Sequence, residues 1–478
     1  MSSPLILNAT EMVTPGHLSF GLWRLAAPDR PGYTDLSYWT ELGRTLEEGG
    51  FDALFLADAL GQLDTYRASA DPSLIDAVQT PLDDPLLVVP AIAAVTSTLG
   101  FGVTVSSSYE HPYLLARKFT TLDHLTGGRI GWNVVTSQLD SAARNLGLER
   151  QIPHDERYER AQEFIDVAYK LWEGSWEDDA VVRDVEAGVY ADPTRVHAIG
   201  HRGPYFSVPS AHLSEPSIQR TPVIFQAGTS PRGRAFAARN AEVVFVSGFS
   251  PATIGRNVEA VRAEAAAIGR DPSSIKFVAN AVVVTDSTDA AAEAKLADHR
   301  RHYSAEGSLT HFSAVTGIDW SAYDLDAPLS YIETDSNRSF LAGLTKDAPD
   351  GEEWTLRRLI GGRHGIAYVN SIVGGGATVA DELERIADDA GLDGFNLSGT
   401  HPHDGYADIA EHVIPVLRAR GRVREAKPGQ TLRARLTGHD RVAEDHPAHV
   451  FRHAFDDRPS SAPALADLSP ESNGPPER

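Results

Sequence analysis

A (β/α)8 TIM barrel with insertions, an α/β fold, is the class the sequence predicts, on three observations. Eight short β-rich runs alternate with helical patterns along most of the 478 residues, the order that builds a parallel sheet covered by helices. Several runs, VVFVSG and FVANAVVVT among them, are nearly continuous apolar stretches, as strands buried on both faces require. No G-x-G-x-x-G stands at the first strand-to-helix turn, where a doubly wound dinucleotide-binding sheet carries one.

The predicted strands are Leu18–Leu25, Ala53–Asp58, Gly100–Ser108, Arg129–Ser137, Pro222–Thr229, Val243–Ser247, Lys276–Thr285 and Gly394–Gly399. Helices are expected at Asp35–Glu48, Asp84–Thr98, Tyr113–Leu125, Asp155–Glu173, Pro231–Arg239, Pro251–Ile268, Val379–Ala390 and His403–Arg420. The triple glycine Gly374–Gly376 precedes a helix without the dinucleotide spacing and reads as a loop. Two interruptions, Gly174–Thr221 and Ser304–Gly376, exceed ordinary connection lengths and are lids over the site or segments with structure of their own. On this reading residues 1–421 form the inserted barrel, with insertions at about 174–221 and 304–376. Residues 422–455 form an arm packed on the barrel or on a partner subunit, and the proline/serine-rich 456–478 is a disordered tail.

Composition narrows the function. The 43 Lys+Arg against 66 Asp+Glu give a net charge of −23, which opposes binding to nucleic acid or an anionic membrane. With 0 cysteines there are no disulfides, thiolate metal sites, iron–sulfur clusters or cysteine nucleophiles. No basic-then-apolar leader opens the chain and no run approaches membrane-spanning length, so a soluble, cytoplasmic protein is expected.

The chemistry of a barrel sits at the C-terminal ends of its strands. Those ends carry Asp58, Thr104 to Tyr109, Asn133 to Ser137 and Gln226 to Ser230: small neutral polar groups and one carboxylate. A glycosidase needs facing carboxylates and a metallohydrolase needs His/Asp clusters; neither is present. Hydroxyls and amides suit the edge of a flat heterocycle and a phosphate. AGTSPRG puts Ser230 just before a helix with Pro231 at its first position, where free N–H groups and the helix dipole favour an anion. A plain N-cap role for Thr229 or Ser230 fits the spacing equally. His154 and Tyr158, four apart at another helix start, face one way and read either as ligands of a phosphate or ring or as a surface His with a half-buried Tyr. His401/His403 and His197/His201 are broken by Pro and Gly and do not read as metal pairs.

Three segments then carry a resemblance: YEHPYLLARKFTTLDHLTGGRIGWNVVTS, IPHDERYERAQEFIDVAYKLWEGSWEDDAVVRD and PVIFQAGTSPRGRAFAARNAEVVF. They resemble the bacterial-luciferase-like two-component flavin monooxygenases. More narrowly, the chain is similar to the family of nitrilotriacetate monooxygenase, dibenzothiophene-sulfone monooxygenase and pristinamycin synthase, from about His17 to about His453. The resemblance implies an inserted barrel that takes reduced FMN from a separate NAD(P)H:FMN reductase and reacts it with O2 to a flavin peroxide, in a homodimer or homotetramer. Carried over by motif, FLAD places Asp58 and GVTVSS places Thr104 near the flavin. WNVVTS puts Asn133 by the ring, PHDERY supplies His154 and Tyr158, and AGTS supplies Ser230 at the phosphate. His17, taken to precede strand one, and His311 are candidates for the substrate pocket, or else structural histidines. Phe20, Trp23, Tyr109 and Phe249 would give an aromatic pocket for a hydrophobic organosulfur or aromatic substrate. No strand-end Arg or Lys cluster awaits a polycarboxylate, unless lid residues Arg195 or Arg202 enter. The alternatives are an F420-dependent oxidoreductase of the same superfamily, a non-catalytic flavin-binding chain of a hetero-oligomer, and a monooxygenase of aminopolycarboxylates.

Overall fold

The computed structural model describes residues 3–25, 32–228, 230–248, 250–334, 336–345, 348, 353–362, 364–365, 371–400 and 404–452. Its first strand is one the hydrophobic pattern hides. ILNATE (β1, Ile6–Glu11) is buried at every position. Leu7 and Ala9 face the helices and Ile6 faces the barrel lumen, while the polar Asn8 and Thr10 are also buried. The predicted strand Leu18–Leu25 is instead loop and a 3-10 turn, Leu22–Leu25. Its Phe20 is drawn into a separate apolar cluster above the barrel. His17 therefore follows the first strand rather than preceding it.

The other barrel strands are β2 (Ala53–Leu56), β3 (Gly100–Ser106) and β4 (Ile130–Val135). Two short antiparallel hairpins follow, β5 (Val181–Asp184) with β6 (Val189–Ala191) and β7 (His201–Arg202) with β8 (Ser207–Val208). The barrel resumes with β9 (Val223–Ala227), β10 (Val243–Val246), β11 (Lys276–Asp286) and, after β12 (Ser371–Gly375), β13 (Gly394–Gly399). The order β1-β2-β3-β4-β9-β10-β11-β13 is parallel throughout and closes by pairing β13 with β1. The chain is a closed eight-stranded (β/α)8 barrel. β12 lies outside it, paired with the upper half of β11 from Val282 to Asp286. Gly374 and Gly375 thus end a strand and Gly376 starts the helix Gly376–Ala390, correcting the loop reading. Gly376 is also where a side chain would meet the His412 carbonyl at 1.8 Å. The long helix expected at Asp84–Thr98 is only a 3-10 turn, Pro85–Leu87, and a short helix, Val89–Ala93, because Pro90 lacks the N–H a continuous helix needs there and its ring crowds the preceding turn.

The two insertions lie at opposite ends. Gly174–Thr221 joins the C-terminus of the helix His154–Glu173 to the start of β9, which puts its ends at the N-terminal face of the barrel. It packs on the outer side of that helix, His201 and the Tyr205 and Phe206 amides binding Glu163. It is no lid over the strand ends, and its Arg195 is engaged by Asp179, Glu177 and Asp192. The stretch 304–376 comes after the helix Asp289–His302 that follows β11, and its described residues lie over the mouth. There Leu309, Phe312, Trp320, Leu341, Leu356 and Leu359 build a second core with Phe20, Leu63, Tyr66 and Val78 from the loops after β1 and β2.

The opposite face is stoppered by the chain after Arg422. Leu432 and Leu436 of the helix Leu432–Thr437 enter the lumen cluster with Ile6, Phe55, Phe225 and Val278. Arg433 is fully buried and binds Glu242 with Nε–Oε1 at 2.7 Å and Nη2–Oε2 at 3.0 Å. The tail from residue 453 lies outside the described residues.

Candidate active site

Strand order puts the chemistry on one arc of the mouth: β2, β3, β4 and β9 are consecutive neighbours. Asp58 follows β2. Burial, helped by the nearby Asp84, pushes its carboxyl up to about 7 against the hydrogen bond from the Ala59 amide, so near neutrality it is partly a hydrogen-bond donor. Thr104 on β3 and Asn133 on β4 are register partners. Asn133 Nδ2 donates to Thr104 Oγ1 at 2.9 Å and its Oδ1 stays buried with no partner among the described residues. Asn8 Oδ1, Thr10 Oγ1 and Gln226 Oε1 are orphaned in the same way. Buried polar atoms normally have partners, so these four oxygens are open to a further donor.

Further along the arc two helix starts converge. Ser230 caps the helix Pro231–Asn240, its Oγ accepting from Gly233 N at 3.1 Å. His154, the first residue of His154–Glu173, is buried with Nε2 3.4 Å from Ser230 Oγ and Nδ1 2.8 Å from Asp155. Tyr158 lies one turn on, 5.2 Å from the His154 ring. Burial raises its phenol above the ordinary range against the Ser230 hydrogen bond, so it stays protonated. Space is kept open by glycine: a Cβ on Gly228 would lie 2.5 Å from Gln226 Nε2, and one on Gly233 would lie 2.9 Å from Tyr158 OH. His154, Tyr158 and Ser230, 72 to 76 residues apart in two motifs, thus meet at a helix N-terminus, the setting that suits a phosphate. Ser230 is an N-cap as well.

A cavity of about 570 Å3 opens beside Asp58 and Thr104, lined also by Gln79, Leu82, Leu86, Tyr109 and Leu146. Next to it the cap brings in two histidines. His311, buried on the helix Ala305–Thr316, has Nε2 3.2 Å from Gln79 Nε2 and its ring 5.2 Å from Phe20. Burial and then His17 push its imidazole down to about 3; burial takes the His17 imidazole down to about 4. Both rings are neutral at physiological pH. Trp23 does not join this wall: it is 42% exposed, beneath the Arg24 guanidinium. Thr229, Phe249, His401 and His403 lie outside the described residues. Gln79 was not singled out in the sequence, where a lone glutamine before Thr-Pro carries no signal. Among the described residues no group of three or more His, Asp or Glu side chains is placed to hold a metal ion, and no helix is long and apolar enough to cross a membrane.

The fold and site define a capped (β/α)8 barrel with buried polar groups at its strand ends and a helix start beside them, and similarity to known proteins gives its class. The profile of the luciferase-like monooxygenase family matches residues 18–394. The chain belongs to that family and is a flavin-dependent monooxygenase. It is 46% identical over 460 residues to the dimethyl-sulfide monooxygenase of Hyphomicrobium sulfonivorans, covering 95% of each chain. It is 45% identical over 454 residues to the long-chain alkane monooxygenase of Geobacillus thermodenitrificans, covering 95% of this chain and 99% of that one. The crystal structure of the Hyphomicrobium enzyme superposes with a TM-score of 0.88 at 45% identity, over 98% of this chain and 99% of that one. An F420-dependent secondary alcohol dehydrogenase, at 14% identity over 88% of this chain and 100% of that one and a TM-score of 0.53, shares the fold alone.

Proposed function

We propose that this chain is the oxygenase component of a two-component system, using FMNH2 supplied by a separate NAD(P)H:FMN reductase, with O2 as co-substrate, to oxidise a small, neutral, hydrophobic organosulfur or aromatic compound. The observation that carries the reading is the convergence of His154, Tyr158 and Ser230 at an open helix N-terminus, on the same arc as the orphaned Asn133 Oδ1. Ser230 Oγ, His154 Nε2 and Tyr158 OH would hold the phosphate. Asp58, Thr104 and Asn133 would orient the ring, Asp58 with a proton it can share near neutrality. The bound reduced flavin supplies the electrons that activate O2. His17 and His311, neutral and half-buried to buried, would wall the substrate side with Gln79 and bring no proton to the site. The cap of Ser304–Gly376 would exclude bulk water from it.

Relatives in the family are named for dimethyl sulfide, long-chain alkanes and dibenzothiophene sulfone, and one for nitrilotriacetate. Electrostatics favour the neutral class here. Among the described residues lining the cavity the cation is Lys118, tied to Glu110 at 2.5 Å, while Asp58, Asp83 and Asp84 stand beside it. A polycarboxylate meets repulsion there. The test is anaerobic titration with FMNH2 followed by mixing with oxygenated buffer, recording absorbance, with dimethyl sulfide, dibenzothiophene sulfone and nitrilotriacetate as probes. Saturable FMNH2 binding, and a transient whose decay one of the neutral probes accelerates, support the reading. Tight F420 binding with no FMNH2 complex overturns it.

A further inference from the structure

The cap carries a buried carboxylate that the proposed reaction does not use. Asp76, in the loop after β2, is 6% exposed. Its Oδ1 accepts from Arg24 Nη2 at 2.7 Å and its Oδ2 accepts from Ser304 Oγ. Ser304 is the N-cap of the helix Ala305–Thr316, its Oγ accepting in turn from Gly307 N at 2.9 Å, and its own amide donates to Phe20 O at 2.9 Å. Arg24 also donates to His302 O at 3.1 Å. One carboxylate therefore joins three segments: the loop after β1, the loop after β2, and the start of the helix that presents His311.

On its other side Asp76 leads into a strained stretch. Ala77 and Gln79 have φ of +52° and +50°, a region that residues with a Cβ enter at a cost of order 1–3 kcal/mol and keep only when their surroundings hold them. Between them Val78 is fully buried in the cap core, its amide donating to Ser73 O at 2.8 Å. Beyond them Thr14 Oγ1 binds Pro81 O at 2.7 Å. The strained turn sends Gln79 toward His311.

We propose that Asp76 is a positioning residue: it holds both the turn that presents Gln79 and the helix cap that presents His311, and so fixes their contact at the mouth of the site. The role rests on the functional reading above only in taking that contact to wall the reaction site. Without the carboxylate, the Ser304 hydroxyl and the Arg24 guanidinium lose their common partner. The helix start and the turn then separate, and water reaches the His311 ring.

The test is 15N NMR of selectively labelled histidine in the flavin-free protein, comparing wild type with Asp76→Ala, Gln79→Ala and the double variant. Wild-type His311 should titrate well below the ordinary histidine range with a single neutral tautomer. In Asp76→Ala its midpoint should rise by about one pH unit or more and the tautomers should mix. Because Asp76 acts through Gln79, adding Asp76→Ala to Gln79→Ala should move His311 no further. FMNH2 affinity should stay within about twofold of wild type, a 0.4 kcal/mol change at most, since the phosphate end lies elsewhere. An unchanged His311 in Asp76→Ala, additive shifts in the double variant, or loss of FMNH2 binding together with the far-UV signal each overturn the proposal. Failure of wild type to bind FMNH2 sinks the functional reading instead and leaves the histidine result standing.

Discussion

Arg433→Met tests the stopper at the barrel floor. Arg433 is fully buried and its guanidinium meets Glu242 through two contacts, 2.7 and 3.0 Å, while Nη2 also donates to Thr221 O at 2.7 Å. Glu242, itself 5% exposed, also accepts from Ile224 N at 3.1 Å. Methionine keeps the apolar stem but strands the carboxylate, and removing one partner of a buried pair costs about 3–5 kcal/mol. The pH dependence identifies the cause. Burial pushes the Glu242 carboxyl up, but the charge and hydrogen bonds of Arg433 overcome it and hold it below the usual range. In wild type the ionised group therefore contributes stability above its unfolded pKa, lost as pH falls through the folded value. In the variant the burial outweighs what is left, the Ile224 amide hydrogen bond among it, so the folded pKa rises and the contribution reverses: it is present at low pH and lost as pH rises. The destabilisation measured by urea unfolding should thus be largest near pH 7 and shrink toward pH 4.5, and Arg433→Met/Glu242→Gln should recover part of it. A loss under about 1 kcal/mol, or one that is flat with pH, refutes the reasoning.

Other outcomes follow from the same geometry. Ser230→Ala should weaken FMNH2 by about tenfold, a phosphate hydrogen bond of about 1.4 kcal/mol, but leave reduced riboflavin nearly unaffected; anaerobic fluorescence titration of both distinguishes loss of the phosphate contact from loss of the N-cap. Asp58→Asn should flatten the pH dependence of FMNH2 affinity between about pH 6 and 8, because the carboxyl held at about 7 no longer titrates; an unchanged profile rules Asp58 out. Flavin-free stability should peak near pH 6.5. His17, His212 and His446 are pushed down to about 4 and His311 to about 3, so from there up to the unfolded value near 6.5 the unfolded chain binds more protons and stability rises with pH. Glu11 and Asp58, pushed up to about 8 and about 7, act oppositely from about 4.5 upward and alone above 6.5, so stability falls again. A monotonic rise from pH 5 to 8 in thermal melts contradicts these assignments.

The parallel barrel was legible because its buried strands are apolar runs, and β2, β3, β4, β9, β10, β11 and β13 each overlap a predicted strand. β1 was not, since ILNATE carries Asn8, Thr10 and Glu11 into the interior. A strand that gives its lumen face to polar chemistry loses the pattern that reveals strands, and the apolar Leu18–Leu25 nearby drew the assignment although its residues belong to the cap.

At the candidate site, the sequence marked His154, Tyr158 and Ser230 as candidates beside a plain structural reading of each, because helix starts and glycine-bearing turns are local features with local signatures. It also carried the strand-end residues Asp58, Thr104 and Asn133, since the barrel rule converts a strand's last residues into site candidates. Only the tertiary structure decided which insertion covers the mouth. Length marks both Gly174–Thr221 and Ser304–Gly376, and both run from a helix to a strand; they part in what they pack against, the first on the outer side of the helix His154–Glu173 through Glu163, the described residues of the second on Phe20, Leu63, Tyr66 and Val78 from the loops after β1 and β2. It likewise decided that Gln79 meets His311, 232 residues away, and that Arg433 stoppers the barrel against Glu242, 191 residues away. Contacts at such separations depend on how whole elements pack, and a residue's type and near neighbours hold no record of that.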